Sequence, residues 1–327
     1  MLIIDWQHHF APQEVYGKKG KPGQAYYERG KVGAHVREEI YQIDKHLKFM
    51  DAAGIDIAVL SSPTLHTIEE CKIVDDSFAK LMKEYPDRFV CLAPCVPTLG
   101  DQALAELDRA INVLGLKGVV ISPQIEGKPL DSEKLWPFYD TVSRLKVPIF
   151  VHVTFAPTGY DAFDAPYNLN VTLTRECDIE NAIYRIILGG VLTQFPDLTF
   201  VFSHMGGGIS AVKERLVRYV DVWGNRFWSE MGGTPPFGEP FGENFNYHFN
   251  KIYFDMAGFV GGMNAVKCAL TTIDPQRLVF ATDYPFDFTT DAEGVKDYIN
   301  NIRTLDLTSA SIESMLGANA AKLLGIH

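Results

Sequence analysis

Apolar residues in this chain fall into short unbroken runs, separated by longer stretches in which they recur every three or four positions. The runs are LIIDW, IDIAVLSS, RFVCLAPC, GVVIS, VPIFVHV, LTFVFSH, KIYFDMA and RLVFATD, eight in all. Each is rich in β-branched and aromatic residues and too apolar for a strand with one face in water, so each predicts a strand covered on both faces. The segments between them, such as EEIYQIDKHLKFMDAAG, VDDSFAKLMKEYP, DQALAELDRAINVLG and SEKLWPFYDTVSRLK, have helical spacing and stop at Gly, Pro or Lys. Buried strands alternating with amphipathic helices imply a parallel sheet, and eight such units close naturally into a (β/α)8 TIM barrel. A doubly wound open sheet is the alternative, but no GxGxxG follows the first strand.

Two stretches break the alternation. Residues 10–35, with KKGKPG and a run of Tyr and Gly, read as a long loop after the first strand, and residues 223–250 are rich in Gly, Pro and aromatics. Both exceed plain connectors, which points to lids or subunit contacts. The expected organisation is one barrel domain over residues 1–327 with lid-like insertions at about 10–35 and 223–250. The last segment, SASIESMLGANAAKLLGIH, predicts a C-terminal helix started by a serine cap and packed on the barrel.

Composition narrows the partners. The chain has 41 acidic and 30 basic residues, a formal net charge of −11, and no long basic run, so nucleic acid is a poor partner. The longest apolar stretches reach about seven residues, far short of the roughly 20 needed to span a bilayer, so no membrane crossing is expected. Asp5 interrupts the apolar start after four residues, which leaves no room for a secretory leader and points to the cytoplasm. Five widely spaced cysteines, Cys71, Cys91, Cys95, Cys177 and Cys268, read as reduced, buried thiols.

In a closed barrel the interior is packed, and chemistry sits at the C-terminal ends of the strands. The first strand ends in Gln7 and His9, the fifth in His152, the sixth in His204, the seventh in Asp255 and the eighth near Asp283. Strand alternation puts Gln7 and His9 on one face and turns His8 away. Imidazole nitrogens with a carboxylate suit Zn²⁺, with Mn²⁺ or Fe²⁺ as alternatives. His9, His152 and Asp283 can supply the three protein ligands of a catalytic site, and His204 is either a fourth ligand or a general acid/base. Taken singly, a strand-end histidine is more often a structural residue, and Asp283 could cap a helix. It is the coincidence of four such residues on one rim that points to a site. Asp255 reads as a carboxylate that orients its neighbours. The glycines of SHMGGG let the backbone turn close beside His204, while His35, His46, His66, His248 and His327 read as structural or solvated.

These blocks resemble a known family. Asp5 to Pro12 (DWQHHFAP) is similar to the DxHxHxxP opening of the amidohydrolase-2 group, the family of 2-amino-3-carboxymuconate-6-semialdehyde decarboxylase and related nonoxidative aromatic acid decarboxylases. The likeness continues through LKVPIFVHV, GGVLTQFPDLTFVFSHMGGG and RLVFATDYPFD, so it spans nearly the whole chain. It implies a barrel of the metal-dependent hydrolase type. A Zn²⁺-type ion would be held by the first-strand pair, His152 and Asp283, with His204 acting on water or substrate. One position departs, because Gln7 stands where the family has His or Glu. A neutral amide oxygen is a poorer ligand than either. The family also places an arginine eleven residues after the sixth-strand histidine, reaching into a neighbouring subunit to hold a substrate carboxylate; here that is Arg215, which hints at a homodimer or higher oligomer. Phe286 and Phe155 could sandwich a planar substrate, and Arg29 and Arg37 are further candidates for its carboxylate.

Three functional readings follow. The first is metal-dependent nonoxidative decarboxylation of a small aromatic or enoic carboxylic acid, with the metal as template and Lewis acid and a proton supplied by His204, or by Asp283 if burial raises its pKa. The second is hydrolysis or hydration of a lactone, amide or double bond at the same residues. The third is a barrel that has lost its metal and serves as a binding protein, for which Gln7 is the best support.

Overall fold

The computed structural model describes residues 1–327 except 29–30, 63–66, 155–156, 158–166, 168, 232–234, 289–290 and 327. Its eight apolar runs each contribute one parallel strand, in chain order: β1 (Ile4–His9), β2 (Ile57–Ser61), β3 (Phe89–Cys91, continued by Ala93–Pro94), β4 (Val119–Ile121), β5 (Ile149–Val151), β6 (Phe200–Phe202), β7 (Tyr253–Asp255) and β8 (Leu278–Val279). Pairing runs β1-β2-β3 in one sheet and β3-β4-β5-β6-β7-β8 in another. The break lies at Leu92, whose N–H donates to Leu60 O (2.9 Å) while the next residue, Ala93, donates to Gly118 O (2.9 Å). Donation from Trp6 N to Phe280 O and from His9 N to Tyr284 O, both 2.8 Å, joins the last strand to the first and closes the ring.

Side-chain alternation divides the buried residues into two sets. Ile4, Trp6, Val59, Val90, Leu92, Val120, Phe150, Val201, Tyr253 and Val279 form the cluster that fills the barrel. Ala58, Leu60, Phe89, Cys91, Val119, Ile121, Ile149, Val151, Phe200, Phe202 and Leu278 face outward into the larger cluster beneath the helices. Burying a side chain of the size of Phe150 contributes about 1.5–3 kcal/mol. The interior is therefore packed, not a channel.

The outer layer follows the helical spacing. Helix α1 (Ile43–Ala53) is preceded by a separate 3-10 turn, and ends where Gly54 takes a φ of +76°. Helix α2 (Ile68–Glu84) begins earlier than the apolar pattern alone suggests, because Thr67 and Glu70 form a reciprocal capping box. Helices α3 (Asp101–Asn112), α4 (Trp136–Leu145) and α5 (Arg175–Leu188) follow their strands in turn. After β6 come α6 (Lys213–Trp223) and α7 (Phe241–Phe249), then α8 (Met263–Ala269) after β7 and α9 (Ala292–Arg303) after β8.

Some expectations are corrected. Residues 10–35 hold a short helix (Gln13–Tyr16) and an antiparallel hairpin (Ala25–Glu28 with Lys31–His35), not a plain loop. The C-terminal helical segment starts at Thr308, whose hydroxyl accepts from Ser311 N; the cap is this threonine, not a serine. All five cysteines are free, but Cys177 is exposed and Cys268 half-buried, so only Cys71, Cys91 and Cys95 fit the buried reading.

Between α2 and α3 lies a buried carboxyl pair. Asp75 is fully buried, and neither of its side-chain oxygens meets a hydrogen-bond donor. Burial, followed by the adjacent Glu106 carboxyl, pushes Asp75 up to about 9, while Arg109 opposes the shift and Asp76 adds to it. Arg109 clamps Glu106 (Nε to Oε2, 2.9 Å) and Asp76 (2.8 Å). The thiols of Cys71, Cys91 and Cys95 also feel Asp75. Because the folded-state value lies above the ordinary 3.8, the stability that Asp75 contributes is complete at low pH and is lost as pH rises toward 9. Asp75→Asn keeps a donor toward Glu106 without a proton to lose. Urea unfolding at pH 5 and pH 8.5 should therefore show the variant gaining on the wild type as pH rises; an equal difference at both pH values would mean that Asp75 does not titrate in this range.

Candidate active site

The rim at the C-terminal ends of the strands begins with an irregularity in β1. Asp5 pairs with Ala58 but His8 pairs with Leu60, so three steps along β1 match two along β2. One extra residue in one strand is a bulge. It lets Trp6 face the barrel core while the following Gln7, and then His9, also turn toward the interior rim. His8 faces the other way, with Nδ1 2.8 Å from Asp5 Oδ2, Nε2 3.0 Å from His46 Nδ1, and its ring stacked on Tyr284.

Four strands deliver the cluster. His9, His152 and Asp283 each offer a ligand atom within 4.8 Å of the others, and all three are buried. His9 Nε2 lies 2.8 Å from Asp283 Oδ1, and its Nδ1 is 3.1 Å from Ser61 Oγ, which fixes the ring with Nε2 toward the cluster. The Gln7 amide nitrogen donates to Asp283 Oδ1 (2.6 Å) and lies 3.2 Å from His152 Nε2 and 3.5 Å from His204 Nε2. The other amide atom, Gln7 Oε1, is buried without a hydrogen-bond partner.

His204 is held from two sides. Its backbone N–H donates to Asp255 Oδ1 (2.9 Å), and that oxygen also accepts from Ala257 N (3.0 Å). Nδ1 is 2.8 Å from Glu176 Oε1, which leaves Nε2 facing the cluster. The backbone is strained here, with φ of +57° at His204, +51° at Met205 and +54° at Asp283. Each such residue costs roughly 1–3 kcal/mol, and this kind of strain gathers at functional sites. Two glycines allow it. A Cβ at Gly207 would sit 2.2 Å from Glu176 O, and one at Gly258 2.3 Å from the His204 ring.

The electrostatics separate the roles. Burial alone would raise Asp283, but the His9 hydrogen bond and the closeness of the His9, His204 and His152 rings outweigh it and lower the carboxyl to about 2. The histidines thus oppose the effect of burial on which a proton-carrying Asp283 would depend. Burial, then His9, keeps His152 neutral. His204 goes the other way: burial lowers it, but the Glu176 carboxylate, helped by Asp283 and Asp255, raises it to about 10. Asp255 is pushed up to about 7 by burial.

The remaining candidates lie at varied distances from the cluster. The Phe286 ring is 5.5 Å from that of His9, and the half-buried Arg37 places its guanidinium 5.9 Å over Phe286. Phe155 and Arg29 lie outside the described residues. Arg215 is exposed on α6, 5.1 Å over the Tyr219 ring, and borders a surface cavity of about 1030 Å³ that contains none of the cluster residues. Two contributors escape the sequence reading. Ser61 ends β2, so the strand-end rule extended to hydroxyls would have found it. Glu176 sits in the first turn of α5, where no motif or spacing marks it.

Comparison with known proteins agrees with this geometry. The family profile described as "Amidohydrolase" matches residues 4–326. The chain is 24% identical to the 2-amino-3-carboxymuconate-6-semialdehyde decarboxylase of Dictyostelium discoideum over 91% of this chain and 80% of the relative. It is 27% identical to the gamma-resorcylate decarboxylase of Rhizobium sp. (strain MTP-10005), over 75% of this chain and 77% of the relative. Among solved structures, the 5-carboxyvanillate decarboxylase of Novosphingobium aromaticivorans, complexed with manganese and 4-hydroxy-3-methoxy-5-nitrobenzoic acid, has a TM-score of 0.78 at 20% identity, covering 99% of this chain and 96% of that one.

The pairing of Glu176 with His204 can be read directly. Glu176→Gln keeps the hydrogen-bonding shape but removes the charge that raises His204, so the imidazole should fall from about 10 to its ordinary value near 6.5 or below. NMR titration of histidine-labelled protein checks this. An unchanged His204 would show that Glu176 does not control its charge.

Proposed function

The chain belongs to the amidohydrolase family, and from that premise we propose that it is a metal-dependent nonoxidative decarboxylase of an aromatic or enoic carboxylic acid. The carrying observation is the buried convergence of His9, His152 and Asp283 at the catalytic rim of the barrel. The donor set fits a divalent ion: two imidazoles and one ionised carboxylate, with Gln7 Oε1 buried and lacking a partner. A half-turn of the Gln7 amide would exchange that oxygen for the nitrogen now facing the cluster, giving a neutral fourth ligand. Zn²⁺ suits the histidine-rich set, and the manganese of the 5-carboxyvanillate decarboxylase supports Mn²⁺ as the alternative.

When bound, the ion would act as a Lewis acid and template for a substrate carboxylate and a neighbouring oxygen. The protein does the rest. Phe286 offers an aromatic face beside His9 for a planar substrate, with Phe155 as its proposed counterpart, and Arg37 supplies a cation at that edge. His204, protonated by virtue of Glu176, delivers its Nε2 proton to the carbon that bears the carboxylate. The C–C bond to the carboxylate then breaks, its electron pair returns to the substrate, and carbon dioxide leaves. His204 is left neutral and regains a proton from solvent. In this reading His204 is the donor and Asp283 holds the ion.

We also place Arg215 at a subunit interface. Helix α6 exposes Tyr219, Val222 and Trp223 along with Arg215, and Val212 just before it is exposed as well, a surface that a second copy would cover. Its arginine would then reach the carboxylate in the neighbouring site. No described helix is long and apolar enough to cross a membrane, and the free cysteines accord with a reducing compartment such as the cytoplasm.

Two experiments test these readings. The purified protein should carry about one divalent ion per chain and release carbon dioxide from members of a panel of hydroxybenzoates and unsaturated acids; a chelator should abolish this, and Zn²⁺ or Mn²⁺ restore it. Gln7→Glu should hold the ion at least about tenfold more tightly. Hydrolysis of a lactone or hydration of a double bond, without carbon dioxide, would replace decarboxylation as the reaction. For the interface, light scattering should give a mass of two chains or a multiple, and Arg215→Ala should raise KM with the mass unchanged. A monomeric active wild type would remove Arg215 from the site.

A further inference from the structure

At the opposite, N-terminal end of the strands lies a separate cavity of about 630 Å³. It is bounded by the starts of β5, β6, β7 and β8, the end of α4 and the C-terminal helix (Asn319–Leu324). Its lining gathers four cations, Lys146, Lys251, Arg277 and Lys322, against one acid, Asp197. Each cation comes from a different segment of the chain. In a protein with 41 acidic and 30 basic residues, that local balance is inverted.

The four cations also lack ion-pair partners among the described residues, since no carboxylate there, Asp197 included, pairs with any of them. Arg277 is instead laid 4.6 Å over the Tyr253 ring, and Lys251 sits 4.2 Å over Tyr247. Helix ends account for part of the gathering, since Lys146 closes α4 and Lys322 lies in the last turn of the C-terminal helix, where carbonyl dipoles favour cations. Arg277 closes the 3-10 turn Pro275–Arg277 before β8, and Lys251 follows the end of α7, so four such ends converge on one cavity.

We infer that this basal cavity binds a small, multiply charged oxyanion of the phosphate-ester or polycarboxylate class. Three ammonium groups act as point charges, and the guanidinium adds a forked donor whose edge stays free while its face rests on Tyr253. Ser143 and Thr199 add hydroxyls to the same lining. The volume falls within the range of about 300–1,000 Å³ usual for small-molecule sites. None of the lining residues belongs to the cluster at the other end of the strands, so the inference is independent of the reaction catalysed there.

Calorimetric titration of the metal-loaded protein with inorganic phosphate and with tricarballylate, at constant ionic strength, tests it. The wild type should bind one equivalent of at least one of these anions per chain, the tighter of the two identifying the class. Two double variants serve as controls: Lys251→Met with Arg277→Met, and, in case those half-buried positions disturb folding, the exposed pair Lys146→Ala with Lys322→Ala. Each should weaken binding at least about tenfold, the scale of one lost charge-assisted contact. Absence of saturable binding of either anion, or wild-type affinity in both double variants, would overturn the proposal.

Discussion

Everything at the catalytic rim depends on ring closure between the first and last strands. His9 and Asp283 are 274 positions apart in sequence, yet stand 2.8 Å from each other because Trp6 and His9 donate to the backbone at Phe280 and Tyr284. Moving a carboxylate and several imidazoles out of water costs several kcal/mol per ion unless close partners replace the lost solvent. Here the partners come from opposite ends of the chain. A barrel left open at this seam would bury Asp283 without His9 or Gln7, and the groups would repel the packing instead of completing it.

The bulge in β1 is what makes the seam useful. A regular strand would send residues 4, 6 and 8 inward and residues 5, 7 and 9 outward, placing His8 at the cluster and His9 beneath the helices. The extra residue reverses the phase between Trp6 and His9, so the strand plugs the barrel with an indole and then presents two polar side chains at the rim. The strained backbone at His204, Met205 and Asp283 does the same work on β6 and β8, turning each chain sharply as it leaves the sheet. Strain of this kind persists only where surrounding packing holds it. Gly207 and Gly258 supply the room.

This contrast explains what the sequence makes legible. Eight strands can be read because strands buried on both faces become continuous apolar runs, and the rim can be read because a histidine or aspartate ending such a run has few structural reasons to be there. The facing of Gln7, His9 and His8 is read correctly, although simple alternation from Ile4 does not produce it; the bulge that does is a property of the pairing between two strands. The same limit hides the split of β3 at Leu92. Glu176 is invisible for another reason: its role depends on where α5 crosses the His204 turn, and nothing in its own neighbourhood encodes that crossing. Asp75 looks like a solvated helix acid until α3 covers it.

The neutral Gln7 acquires a meaning once the surrounding charges are fixed. Asp283 on one side of the rim and the Glu176 partner of His204 on the other both bring carboxylates to it, and Gln7 adds none. A glutamate at position 7 would carry one more negative charge than the amide does. An anionic carboxylate entering a buried, low-dielectric site meets the strongest attraction when the site carries the opposite charge, and a second anionic group on the substrate gains most. The amide therefore gives up some grip on an ion and, for the same lack of charge, repels an entering carboxylate less than a glutamate would.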